Sequence, residues 1–193
     1  MSAPYAAMVI GGSSGAIDAL VTLVPALPPT LRASVLVVLH MSRDPRSRLL
    51  EIFRPHCALP LQEAQDQDTI EPGTVYFSPP DYHLLVDQGP RAALSVDAPV
   101  NFSRPSIDVV FESAADLYGD QLVGILLSGA NEDGARGMQA IHAAGGLVIV
   151  QDPASAAVST MPRAALARVV AHHVLAPAGM GMLITDLHRQ GRI

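Results

Sequence analysis

The feature that most constrains this chain is a set of short runs that are apolar at every position. They are Ala7-Met8-Val9-Ile10, Val35-Leu36-Val37-Val38-Leu39, Leu122-Val123-Gly124-Ile125-Leu126-Leu127 and Leu147-Val148-Ile149-Val150. A strand with one wet face alternates apolar and polar residues. A run without alternation has both faces covered, the condition of a strand inside a parallel sheet. Parallel neighbours need long crossovers, and the segments between the runs supply them. Helix-like patterns fall at about residues 16–24, 45–54, 106–118, 132–144 and 162–168. The expected class is therefore α/β, a doubly wound and mostly parallel sheet with helices on both faces. The middle third departs from this rhythm. Residues 73–78, 82–86 and 91–96 read as short strands, separated by Pro79-Pro80-Asp81 and by Asp87-Gln88-Gly89-Pro90. Proline and glycine turns of this kind predict an antiparallel hairpin region, placed at one edge of the sheet. A last strand at about 173–176 and a closing helix at about 181–189 complete the pattern.

Composition closes off several classes of function. Hydrophobic residues make up 49% of the 193 positions and charged residues 16%, which is not the balance of a disordered chain. The length suits one domain, expected over residues 1–193. A net charge of −6, 4% aromatics and no tryptophan argue against nucleic-acid binding. Cys57 is the single cysteine, so neither an internal disulfide nor a cysteine-rich zinc site is expected, and a reducing, cytoplasmic setting fits. The N-terminus lacks a cationic leader, and no run reaches the roughly 18 apolar residues of a membrane helix, so no membrane insertion is expected.

Chemistry concentrates where strands end. Gly11-x-Ser13-x-Gly15 follows the first strand and opens a helix, which is the context of a nucleophile elbow. Small flanking residues let a serine stand at the tip of so tight a turn. The N–H of Ser14, at a helix N-terminus, can face an oxyanion formed at Ser13. The same kind of turn also binds phosphate, or simply reverses the chain. Neither a dinucleotide fingerprint nor a Walker lysine accompanies it. A nucleophilic serine needs a base and an orienting carboxylate. His40 directly follows the second run and Asp133 follows the third, so all three sit at carboxyl ends of strands, where sites of open α/β sheets gather. Taken singly, His40 could cap its strand, and Asp133 or Glu132 could favour the first turn of a helix. The order Ser13, His40, Asp133 matches none of the common hydrolase orders. His56, His83, His142 and His188 read as surface or internally satisfied residues. Adjacent His172 and His173 point to opposite faces of a strand, so no metal or cofactor is expected.

These motifs together resemble the catalytic domain of the chemotaxis protein-glutamate methylesterases, the CheB family. The resemblance runs over about residues 9–168. It is carried by Ile10-Gly11-Gly12-Ser13-Ser14-Gly15, Leu39-His40-Met41, Ser78-Pro79-Pro80-Asp81-Tyr82-His83-Leu84 and Arg104-Pro105-Ser106-Ile107-Asp108-Val109-Val110-Phe111. Leu127-Ser128-Gly129-Ala130-Asn131-Glu132-Asp133-Gly134 and Met161-Pro162-Arg163 complete it. It implies a cytoplasmic serine hydrolase that demethylates glutamate methyl esters on the cytoplasmic helices of chemoreceptors, releasing methanol. The same acyl chemistry extends to deamidating glutamines. The nucleophile falls on Ser13, the base on His40 and the carboxylate on Asp133, with backbone oxyanion groups at Ser14 and Ala130. The family's N-terminal phosphoacceptor domain has no counterpart here. Activation by phosphorylation in cis is therefore not expected, and a separate response regulator is a candidate partner beside the methylated chemoreceptor helices. Ala130 stands where the family usually has methionine and Asn131 where glycine is common. Ser42-Arg43-Asp44-Pro45 replaces a Pro-Pro-Gly-Phe segment. The rival readings are a non-catalytic module that binds a receptor or signalling partner, and a phosphate or nucleotide binder built on the Gly11–Gly15 turn.

Overall fold

The computed structural model describes residues 4–40 and 49–193. Residues 41–45, singled out above, and the start of the helix expected from residue 45 lie outside the described residues. The elements run β1 (Ala7–Gly12), α1 (Ala16–Leu23), β2 (Ser34–Leu39), α2 (Leu49–Phe53), β3 (Leu61–Glu63), β4 (Val75–Phe77), β5 (His83–Asp87) and β6 (Arg91–Ser95). They continue with α3 (Ile107–Tyr118), β7 (Leu122–Leu126), α4 (Ala135–Ala143), β8 (Leu147–Gln151), α5 (Thr160–Arg168), β9 (His173–Leu175) and α6 (Pro177–Arg189).

Seven strands form one sheet in the order β3-β4-β2-β1-β7-β8-β9, and every pairing in it is parallel. Each residue of β1, β2, β7 and β8 is buried, as the uninterrupted apolar runs require. Alternate residues feed two separate cores. Met8, Ile10, Val35, Val37, Val123, Ile125 and Ile149 face one side, where Leu20 and Leu23 of α1 and Ile184 and Leu187 of α6 cover them. Val9, Leu36, Val38, Leu126, Val148 and Val150 face the other, under Phe111 of α3, Met138 and Ile141 of α4 and Met161 of α5.

The middle third corrects part of the expectation. Residues 75–77 were read with the hairpin region, but β4 lies inside the parallel sheet between β2 and β3, with all three of its residues buried. The expectation missed β3, because three residues are too few to show a period. The antiparallel hairpin exists as β5 and β6, in a two-stranded sheet of its own. It is fastened to α3: Leu84 and Val86 join that core, and Ser113 Oγ accepts the Val86 N–H at 3.0 Å. The closing helix starts earlier than expected, at Pro177, because proline suits the first helical position.

α3 and α4 pack closely because Gly137 has no side chain. A Cβ placed there would lie 2.4 Å from Phe111 Cβ, so alanine must push the two helices apart. Gly137→Ala is expected to lower unfolding stability by about 1–3 kcal/mol, read as a lower urea midpoint at unchanged slope. An unchanged midpoint would contradict this account of the α3–α4 contact.

Candidate active site

The chain steps from β1 to β2 on one side and later reaches β7 on the other, so the strand order reverses at β1. Crevices at such switch points, outside the carboxyl ends of the strands, are where open α/β sheets place their ligands. The three ends are stitched together by backbone. Gly12 lies in register with Leu39, and the His40 N–H donates to Gly12 O at 3.2 Å. On the other side the Ser13 N–H donates to Ser128 O at 2.9 Å. Ser13 and His40 thus follow paired residues of adjacent parallel strands. Close approach explains the glycines beside the serine. A Cβ on Gly12 would fall 2.4 Å from Ala16 Cβ, and Gly15 takes a φ of 80° at the start of α1.

Asp133 is completely buried, and its carboxylate accepts hydrogen bonds from five donors. Oδ2 meets His40 Nε2 at 2.7 Å and the Ile107 N–H at 2.6 Å. Oδ1 meets Ser106 Oγ at 2.8 Å, Asn101 Nδ2 at 2.9 Å and the Asp108 N–H at 3.2 Å. It does lie at a helix N-terminus, but the helix is α3 rather than its own α4. The carboxylate satisfies the first two free N–H groups of α3 in place of Ser106, which points its hydroxyl at Asp133 instead. Gly134, at φ 92°, then turns the chain into α4.

This arrangement fixes the histidine. An ionised carboxylate only accepts, so His40 Nε2 carries the proton and Nδ1 is left as the acceptor. Ser103 Oγ donates to that Nδ1 at 3.3 Å. The His40 side chain is 11% exposed, enough for a substrate to reach.

A second buried carboxylate, Asp108, stands behind the first. Asn101 Nδ2 donates to both carboxylates at 2.9 Å, the Gly137 N–H donates to Asp108 Oδ1 at 2.8 Å, and Arg136 Nε lies 3.3 Å from Oδ2. Burial pushes the Asp108 carboxyl above the usual carboxylate range, and the negative charge of Asp133 adds to this. Burial alone would raise Asp133 as well. The hydrogen bonds from His40, Asn101 and Ile107 and the charge of His40 outweigh it and hold that carboxyl low. The two shifts carry opposite signs in stability. Asp133 stabilises the fold above the ordinary carboxylate value, and that contribution is lost as pH falls through its depressed value. Asp108 penalises the fold when charged, so stability falls as pH rises from the ordinary value through its raised one. Asp108→Asn is expected to flatten the pH dependence of the urea midpoint in the window just above the ordinary carboxylate range. A dependence identical to that of wild type would contradict the assignment.

Ser14 and Ala130, named in the sequence for an oxyanion role, are both exposed and lie on adjoining turns. Ser128 Oγ ties those turns together, donating to Ser14 O at 2.7 Å and accepting the Val158 N–H at 2.9 Å. Ser128 is held in turn by buried Gln151, whose Oε1 accepts the Ser128 N–H at 2.8 Å. Asn131 accepts the Asp133 N–H at 3.2 Å, so the residue that departs from the family pattern shapes the loop carrying the aspartate.

Three participants were not singled out from sequence: Asn101, Ser103 and the side chain of Ser106. The available signal was the density of small polar residues in Asn101-Phe102-Ser103-Arg104-Pro105-Ser106, directly before a helix. Buried His83 accepts the Ser106 N–H at 3.2 Å and pairs with Ala98 O at 3.1 Å, so it supports the helix start and is fully satisfied. The rings of His142 and His172 meet at a tilt of 31° with centroids 5.4 Å apart. Cys57 is half-buried against the first core, and burial raises its thiol. Among the described residues no group of three or more His, Cys, Asp or Glu is placed to hold a metal ion. No helix among them is long and apolar enough to cross a membrane.

A doubly wound parallel sheet thus brings a turn serine, a histidine and a buried aspartate to neighbouring strand ends at its switch point. The family model for the CheB methylesterase matches residues 8–184, and the chain belongs to that family. A protein of Leptospira interrogans is 41% identical over 171 residues, covering 89% of each chain. A Symbiobacterium thermophilum relative, named protein-glutamate methylesterase/protein-glutamine glutaminase, is 37% identical over 188 residues, 97% of this chain and 52% of its own length. The crystal structure of the Thermotoga maritima CheB methylesterase catalytic domain superposes with a TM-score of 0.89 at 28% identity, over 97% of this chain and all of that one.

Proposed function

We propose that residues 1–193 act as one catalytic domain that hydrolyses γ-methyl esters of glutamate side chains on chemoreceptor-type proteins in the cytoplasm. By the same route it deamidates glutamines. The observation that carries this reading is the 2.7 Å contact between His40 Nε2 and Asp133 Oδ2 at the strand end beside Ser13. It leaves one imidazole nitrogen basic and orients the ring.

In this reading Ser13 Oγ attacks the ester carbonyl carbon, and its proton passes to His40 Nδ1. Asp133 stabilises the imidazolium that results. The carbonyl oxygen becomes an oxyanion, which the N–H groups of Ser14 and Ala130 receive. One such donor is worth roughly 3–4 kcal/mol in barrier. His40 then returns the proton to the departing methoxide, which leaves as methanol while the glutamyl group stays on Ser13. A water that loses its proton to His40 attacks the acyl carbon, Ser13 regains its proton, and glutamate is released. With glutamine the leaving group is ammonia. No step needs a metal or cofactor. Ser103 donates to the same nitrogen that Ser13 must reach, so Ser13 displaces that bond when substrate engages.

The test is methanol release from membranes carrying methylated chemoreceptors. The expected result is release proportional to enzyme and time. An absence of release from every methylated receptor tried would contradict the proposal.

A further inference from the structure

Three of the four phenylalanines, Phe53, Phe77 and Phe111, are buried, and the fourth, Phe102, is fully exposed. A lone exposed apolar side chain needs no explanation by itself. Phe102 differs because its backbone is held in an unfavourable conformation without any packing in return. Val100 and Ser103 exchange two backbone hydrogen bonds, at 2.9 and 3.1 Å, around Asn101 at φ 50° and Phe102 at φ 63°. A turn with both central residues left-handed prefers asparagine followed by glycine. Here a bulky aromatic stands where glycine belongs.

The turn is also pinned on both sides of Phe102. Asn101 bridges Asp133 and Asp108, and Ser103 bonds His40. The aromatic is therefore presented between the two residues that touch the base and its carboxylate. Arg104 extends the face. It binds Asp81 at 2.8 Å, next to exposed Tyr82, and the carbonyls of exposed Val96 and of Asp97 at 2.7 and 3.0 Å. Three segments that each carry an exposed apolar side chain are thus fastened together beside the site.

We propose that Phe102, on a segment that Arg104 ties to those of Tyr82 and Val96, is the specificity-determining contact for the substrate polypeptide. It packs against an aliphatic side chain adjoining the esterified glutamate. The inference rests on the reading of Ser13, His40 and Asp133 as the reacting centre. A polypeptide that brings a short side-chain ester to His40 brings its own neighbouring residues past the pinned turn. Rigid, exposed aromatics are the residues that anchor such contacts.

The test compares three esters: a peptide with one glutamate γ-methyl ester flanked by leucines, the same peptide flanked by serines, and N-acetylglutamate γ-methyl ester N-methylamide. Wild type is expected to favour the leucine peptide over the serine peptide by about tenfold in kcat/KM. Phe102→Gly, which relieves the backbone conformation, is expected to abolish that preference and leave the small ester unchanged. Phe102→Tyr is expected to keep the preference. A preference that survives Phe102→Gly overturns the proposal. So does an equal fall on all three esters, which would mean that the turn acts only through the base. A dimeric wild type made monomeric by Phe102→Gly would also overturn it, by assigning the face to a second copy of the chain. Wild type inactive on all three esters overturns the esterase reading and this inference with it.

Discussion

Ser13→Ala is expected to lower kcat for methanol release by roughly 10⁴-fold or more, while the unfolding free energy from urea titration stays within about 0.5 kcal/mol of wild type. The two halves of this expectation have different causes. In the proposed mechanism the Ser13 hydroxyl forms the bond to the acyl carbon. The fold does not lean on that hydroxyl. The turn is held by the Ser13 N–H on Ser128 O, by the Ala16 N–H on Ser13 O and by the close approach at Gly12, none of which involves the side chain. Substantial residual turnover would move the nucleophile elsewhere. Ser103, already bonded to His40 Nδ1, is the first place to look.

Changes at Asp133 are expected to damage both activity and stability. Asp133→Ala leaves Ser106 Oγ, Asn101 Nδ2, two backbone N–H groups of α3 and His40 without their common acceptor. Breaking a buried charged network of this kind costs about 3–5 kcal/mol, a large part of the roughly 5–15 kcal/mol that holds a domain together. Asp133→Asn keeps the shape but turns one acceptor atom into a donor. If the amide nitrogen takes the place of Oδ2, it faces both His40 and the Ile107 N–H, so the ring is pushed to the wrong tautomer, kcat is expected to fall by roughly 10⁴-fold, and α3 loses one cap bond. If it takes the place of Oδ1, it faces Ser106, Asn101 and the Asp108 N–H, and stability falls while His40 keeps its acceptor. Measuring kcat and the urea midpoint on both variants separates the two. The alanine variant is expected to lose most stability, and the asparagine variant to lose activity beyond its loss of stability. An asparagine variant with full activity would remove Asp133 from the chemistry and leave it as a helix cap.

The parallel sheet was legible because burial on both faces writes itself as unbroken apolar runs. The strand-end positions of Ser13, His40 and Asp133 followed from where those runs stop. What could not be read was pairing that leaves no period. Strand β3 has three residues, and β4 looks in sequence like the first arm of the hairpin that follows it. The polar shell was hidden for another reason. Asn101 and Ser106 act across the fold, on a carboxylate about thirty residues away, so their local sequence shows only small polar residues before a helix. Likewise, Asp133 reads in sequence as a first-turn acid of α4, while in the fold its charge serves α3. The interplay of two buried carboxylates sharing one asparagine has no signature in sequence spacing at all.

The central claim is that Ser13 is the nucleophile and His40 its base. The most direct test treats the chain with a serine-reactive fluorophosphonate and maps the adduct by peptide mass spectrometry, in wild type and in His40→Ala. The account predicts one adduct, on Ser13, that disappears when His40 is removed. An adduct on Ser103 instead, or labelling of Ser13 that persists at full rate without His40, would contradict it.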